Sequence, residues 1–440
     1  MNPRVLALLL RPAPGQNGVL ALPVIAFGVV TALVLTVVGG AQSFWSWTDE
    51  YAPLYQALAA IALVLLVVPL MSLGGAAARL SARRRDERLS TLRLLGVTPA
   101  GVGIATVIES VLVAGIGAVA GVLGSLALAP LIGLIPFRGE ALGLGAVLLP
   151  PLHVLLVVAG VLLVATASAV LGLRRIVISP LGVRMRSTVT TVHWLRFVLG
   201  ACAIALAFVL IKLIPQIAGL VTTIVVLAVL FGVALAVLNL IGPWVLKVSA
   251  SRQLRRAEQP DRLLAARLVL ESPKAAWRQV SGISMASFMA VFAGTGVSLM
   301  SVLESAGAEP GQLQIAQDMR TGLIITLIGS FLMVAVSVGV NQASAILDQS
   351  ELHRSLHFLG MPVETVDRAR TRAIMSPLLI TAIGSALCAA VLVFPLIGMA
   401  LITAPVSLLT IASVVAIGIG VVWVSTRATR PLLARSFQAA

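Results

Sequence analysis

Apolar runs of 20 or more residues recur along the whole of this chain, and they decide its fold class before any motif is considered. A helix of about 20 residues crosses a hydrocarbon layer roughly 30 Å thick. No water is present there to bond the backbone, so long apolar runs satisfy their own amides as helices. Hydrophobic residues make up 59% of the chain and charged ones 11%, a balance foreign to soluble globules. An all-α polytopic membrane protein is expected. Ten transmembrane helices are read near residues 20–40, 54–78, 100–125, 151–173, 195–214, 217–246, 279–303, 320–347, 372–394 and 403–426.

The charges lie in the gaps between these runs and orient the chain. Of the 31 Lys and Arg residues, all but Arg138, Lys212 and Arg320 fall on one side when the ten spans alternate. Basic loops remain cytoplasmic, so both termini are expected there. The same rule accounts for the net charge of +15 without a nucleic-acid partner. Trp45, Trp47, Tyr51 and Tyr55 gather at the first outer loop, where amphipathic rings anchor at a membrane interface. Residues 126–151 are rich in Pro and Gly and are expected to fold back at the outer surface. The opening MNPRVLALLLRPAPGQNG is broken by Arg11 and by prolines, so it reads as a surface segment and not as a signal peptide.

One pattern, Glu-x4-Leu-x2-Leu-Gly, occurs twice, 264 positions apart, each time in a charged gap. The first copy holds Glu87, Leu89, Leu92, Leu95 and Gly96; the second holds Glu351, Leu352, Leu356, Leu359 and Gly360. On a helix the leucines form one apolar stripe. Each Glu sits in the first turn, where the helix dipole favours a carboxylate. Each Gly stands where a left-handed stop belongs, and Pro99 and Pro362 follow. The bland alternative is a charged loop with chance leucines. Two copies in register on one side weigh against it and suggest two docking points for a symmetric soluble partner.

Spans one to four and seven to ten therefore read as two copies of one unit. Six helices separate matching elements, so the copies are parallel. The expected organisation is an amphipathic cytoplasmic segment at 1–18, a first four-helix unit at 19–186 and a two-helix insert at 187–246. A basic linker with an amphipathic helix at 247–278 follows, and a second four-helix unit occupies 279–440.

No catalytic constellation is found. The lysines Lys212, Lys247 and Lys274 follow Ile211, Leu246 and Pro273, so there is no Gly-Lys of a Walker A loop. Cys202 and Cys388 lie within apolar runs as small packing residues. His353 and His357 have the i, i+4 spacing of a helical zinc pair but lack a carboxylate placed as a base, so no metal site is expected. Glu109 is the one acidic residue deep in a span and is a functional candidate on that ground. Structural pairing is the preferred reading, with proton carriage as the alternative.

The paired charged segments resemble the coupling helices of FtsX-like permeases of ABC transporters, the MacB type. The run VIESVLVAGIGAVAGVLGSLAL is similar to that family's third span, with Glu109 followed by Gly115, Gly117, Gly121 and Gly124. These glycines permit close helix approach in lipid. In the second half, Ala373 stands opposite Glu109. The two-unit form is closest to BceB-like permeases, but only about residues 304–319 stand where that subgroup carries a large extracellular domain.

The resemblance implies two FtsX-like units flanking the insert. It also implies two copies of a cytoplasmic ABC ATPase, which would bind the ATP and Mg, with no cofactor in this chain. A bacterial inner membrane location and contact with membrane lipid are implied as well. The expected function is ATP-driven export or extraction of a lipophilic or amphipathic substrate: a lipid, an antibiotic or an antimicrobial peptide. The alternatives are mechanical signalling to a membrane sensor partner and, third, ion-coupled secondary transport.

Overall fold

The computed structural model describes residues 17–64, 66, 70, 73, 74, 77, 99–178, 220–305, 310–348, 355, 356, 358–403, 405–431, 433 and 434. Eight helices among them are long and apolar enough to cross a membrane: Pro23–Ser46, Val107–Gly133, Pro151–Val170, Gly232–Arg255, Pro273–Ser298, Leu313–Ile346, Val363–Leu392 and Leu408–Ala428. They correspond in order to eight of the ten expected spans. The run at 54–78 is seen as the helix Ala52–Val64 with isolated described residues beyond it. The run at 195–214 lies outside the described residues, as does the segment 1–16. The all-α polytopic class holds.

The chain divides into two compact units, Met1–Ser187 with Val336–Asp348, and Thr188–Ala335 with Gln349–Ala440. In the first unit, the described helices are α1 (Asn17–Gln42), α2 (Ala52–Val64), α3 (Pro99–Gly133), α4 (Leu144–Val147) and α5 (Pro151–Ile178). In lipid an apolar side chain gains little by turning inward, so helices associate through close packing and hydrogen bonds. The pairing of α1 with α3 follows this rule. A Cβ built on Gly117 would stand 2.7 Å from the Val24 carbonyl oxygen and 2.7 Å from Phe27 Cβ. One on Gly121 would stand 2.5 Å from the Gly28 oxygen and 2.6 Å from Thr31 Cβ. Farther along, Gly124 faces Ala32. Successive contacts advance together on both helices, so α1 and α3 run parallel. The Thr31 hydroxyl is satisfied within its own helix, donating to the Phe27 carbonyl at 2.8 Å.

Beyond α3 the chain makes a two-residue hairpin, β1 (Pro136–Phe137) against β2 (Glu140–Ala141). Arg138 and Gly139 at its tip have φ of 59° and 80°, the left-handed pair of a type I′ turn. A left-handed arginine is unusual, and its side chain offsets the cost. The guanidinium lies 3.8 Å over the Trp47 ring and 4.7 Å from the Tyr55 ring, and it forms an ion pair with Asp49 at 2.9 Å. Phe44 completes the aromatic group, edge-on to Phe137 at 5.1 Å. Thus Trp47 and Tyr55 hold the hairpin, whereas Trp45 and Tyr51 remain exposed. The segment folds back through Gly143 N–H to the Gly133 carbonyl, 2.9 Å, and Gly39 admits the Val147 carbonyl of α4.

The second unit contains α6 (Leu220–Arg255), α7 (Pro260–Glu271), α8 (Pro273–Ser305), α9 (Pro310–Asp348, grouped here as far as Ala335), α10 (Val363–Leu392), α11 (Phe394–Thr403) and α12 (Pro405–Ala428). At its centre stands α8, which touches α6, α7, α10, α11 and α12. The buried residues of α8 include Ser281, Ser284, Ser287, Thr295 and Ser298, small enough to admit neighbouring helices. Gly242 of α6 makes room for the Trp277 ring, whose Nε1 donates to Asn239 Oδ1 at 2.7 Å. Arg320 reaches Thr410 at 3.0 Å, Phe331 lies on Gly418, and the Ser425 hydroxyl donates to the Ala335 carbonyl, so α9 and α12 run parallel. The amphipathic helix expected within 247–278 is α7, and it ends before Ser272. Pro273 occupies the first position of α8, where its missing N–H costs nothing.

Gly121→Ala is expected to destabilise the protein by about 1–3 kcal/mol, since the Gly28 backbone cannot yield to a methyl group. Gly115→Ala, where an added Cβ meets nothing within 4 Å among the described residues, should be neutral or stabilising. Chemical denaturation of the two variants in detergent micelles checks the difference.

Candidate coupling site

At the basic end of the second unit, a short turn leads into α10. Ser355, Leu356 and Phe358 are helical, and the Leu359 N–H bonds the Ser355 carbonyl at 3.1 Å. Gly360 then takes φ 77°, and the Met361 N–H returns to the Leu356 carbonyl at 3.0 Å. This six-to-one bond across a left-handed glycine is the Schellman stop, which needs a residue without Cβ. Pro362 caps α10 with extended backbone, and Glu364 occupies the first turn. The stop therefore joins the turn to the long helix with little slack.

Leu359 is 81% exposed and Phe358 71% exposed on this turn, while Leu356 is half-buried. Two large apolar side chains side by side at a charged helix end form a projecting patch. Leu359 belongs to the duplicated pattern, but Phe358 was not singled out from the sequence. An aromatic in the last turn before the glycine was the available signal. Glu87, Leu89, Leu92, Leu95, Gly96, Glu351 and Leu352 lie outside the described residues.

The base of α10 is tied to three other helices. Asp261 of α7 is buried and pairs with Arg372 at 2.5 Å. Gln253 of α6 donates to the Ser376 hydroxyl at 2.7 Å. Asp367 faces Arg430, just beyond α12, at 3.6 Å. Ala265, Ala266 and Val269 carry the rest of the α7 face that packs inward. The amphipathic pattern of α7 carries no sign that Asp261 lies on its buried side.

In the first unit, Gly117 and Gly121 lie in the seam with α1, Gly124 lies at its edge, and Gly115 lies off it. Gly28 and Thr31, which form the other wall, were not among the residues read from the sequence. Glu109 is half-buried on α3, with no hydrogen bond or ion pair to another described residue. Among the described residues no group of His, Cys, Asp and Glu is placed to hold a metal ion.

Residues 75–181 match the family model for the C-terminal part of FtsX-like permeases. The chain carries an FtsX-like permease domain. That domain takes in α3, the hairpin, α4 and α5, together with the sequence of the first Glu-to-Gly pattern. FtsX-like permeases are membrane subunits that typically partner with cytoplasmic ABC ATPases, and the apolar helices make this chain a multi-pass membrane protein. No match was found among curated proteins or among solved structures.

Breaking the Asp261–Arg372 pair should be costly, because Arg372→Ala strands a buried carboxylate. A loss of about 3 kcal/mol is expected, the lower part of the range for buried pairs, since the guanidinium is partly exposed. Arg430→Ala, at a longer and more exposed pair, should cost less than about 1 kcal/mol. Thermal unfolding of the purified full chain distinguishes the two.

Proposed function

We propose that the chain is the permease subunit of an ABC complex in which two ATPase subunits grip residues 83–96 and 348–360. The observation that carries this reading is the exposed Phe358–Leu359 patch, set on a stopped turn at the head of α10. A partner closing on nucleotide would move that turn. The Schellman stop and Pro362 would pass the displacement into α10, and the ties to α6, α7 and α12 would spread it through the second unit.

The outer connections of the first unit are a 3-10 turn and a hairpin, and four residues separate α8 from α9. Such connections offer little surface for capturing a water-soluble substrate. The proposed cargo is a lipid, a lipophilic antibiotic or an antimicrobial peptide, moved by ATP hydrolysed in the partner subunits.

Co-purification with the native ATPase checks the reading. Two ATPase copies per chain are expected, and the double substitution Phe358→Asp with Leu359→Asp should leave one. An unchanged ratio would overturn the assignment of the second docking point. In reconstituted vesicles, nucleotide-dependent loss of a lipophilic dye is expected; ATPase stimulation without flux would instead indicate mechanical signalling.

A further inference from the structure

A cavity of about 820 Å³ opens at the basic end of the second unit, between α6, α7 and α10. Arg252 enters it from α6, Arg256 from the turn just after α6, Arg262 from α7 and Arg372 from α10, and among the described residues no carboxylate lines it. Arg372 is committed to Asp261. The other three have no ion pair with a described residue. Three exposed guanidinium groups lining one space raise the local positive potential and favour an anion there. The chemistry calls for a phosphate-sized anion.

The other end of the cavity is apolar. On α6, Trp244, Val245 and Val248 precede the arginines on the same face, and on α10 Leu379 and Ile380 follow Arg372. Because α6 and α10 run antiparallel, their basic residues meet at one end and their apolar residues at the other. Eight residues separate Trp244 from Arg252, about 12 Å along the axis. That is an interfacial polarity gradient, with tryptophan at the depth such rings favour. The apolar wall also continues outward. Leu379, Ile383, Leu387 and Val391 recur every four residues on α10, all exposed. A free phosphate would use only the basic end, whereas an amphiphile uses both.

We propose that this cavity binds an anionic phospholipid, its phosphate held by Arg252, Arg256 and Arg262 and its chains laid along the Leu379–Ile383–Leu387 stripe of α10. Basic pockets between membrane helices recognise headgroups in this manner. The site is separate from the Phe358–Leu359 patch, and binding is measurable without ATPase, so it stands or falls independently of the coupling reading.

The test titrates purified full-length chain in uncharged detergent with phosphatidylglycerol, with phosphatidylcholine of the same chains, and with inorganic phosphate, and reads bound lipid by native mass spectrometry. Phosphatidylglycerol should bind preferentially. Replacing Arg252, Arg256 and Arg262 by Gln should weaken it roughly 100-fold, at about fivefold per arginine, and leave phosphatidylcholine unchanged. The control triple Arg255→Gln, Arg267→Gln and Lys274→Gln, with equal charge loss outside the cavity, should change binding less than about threefold. Leu379→Glu, at an exposed position, supplies a second variant and should also abolish the preference for phosphatidylglycerol. Equal losses in the two triples, equal binding of both lipids, or full competition by inorganic phosphate would each overturn the proposal.

Discussion

Helices in lipid are not held together by hiding leucine, because the solvent is as apolar as the side chain. What holds this protein is distance: backbones brought near enough for dispersion contacts to accumulate over many atoms. The α1–α3 seam achieves this with Gly28 against Gly117 and Gly121, where no Cβ intervenes. The second unit reaches the same end by other means. At the positions 264 residues after Gly117 and Gly121 stand Thr381 and Ser385, both buried. Their hydroxyls donate to the Leu378 and Thr381 carbonyls of their own helix, so they enter the seam already satisfied. Close approach of helices therefore does not require glycine at every seam.

Polar groups in the helix bundles are spent on fixing geometry. Arg138 and Arg320 are two of the three basic residues expected on the outer side. Arg138 is caged by Trp47, Tyr55 and Asp49, and Arg320 bonds Thr410 of α12. Positive charge is disfavoured outside because it resists translocation. Both of these exceptions hold two elements together, the hairpin to the segment between α1 and α2, and α9 to α12. Trp277 acts likewise, with its indole nitrogen on Asn239 and its ring in the space left by Gly242.

The fold class and the positions of most spans were legible because a membrane helix writes its length into the sequence as an apolar run. The stop at Gly360 was legible for a local reason: a glycine after the last apolar position, with a proline two residues on. Contacts between distant segments were not. Nothing local ties Arg138 to Trp47 or Asp261 to Arg372, because each pairing depends on how separate helices are packed. The division at Ser272 was readable in principle, since a proline at the start of a helix is a known signal. The basic and apolar pattern across it read instead as one surface helix. Glu109 illustrates the limit: a carboxylate in an apolar run marks a position, and its chemistry depends on neighbours that the run does not specify.

The two ends of α10 have opposite physical demands, and its sequence divides accordingly. Near Pro362 it carries Glu364, Asp367, Arg368, Arg370 and Arg372, and cross-helix bonds there act in place of lipid. Past Leu379 it exposes a column of aliphatic side chains that hydrocarbon solvates without cost. Its other face remains packed to the far end, where Ala389 and Leu392 are buried against Ala234 and Phe288, so directional bonds fix the base of α10 and close packing fixes the rest.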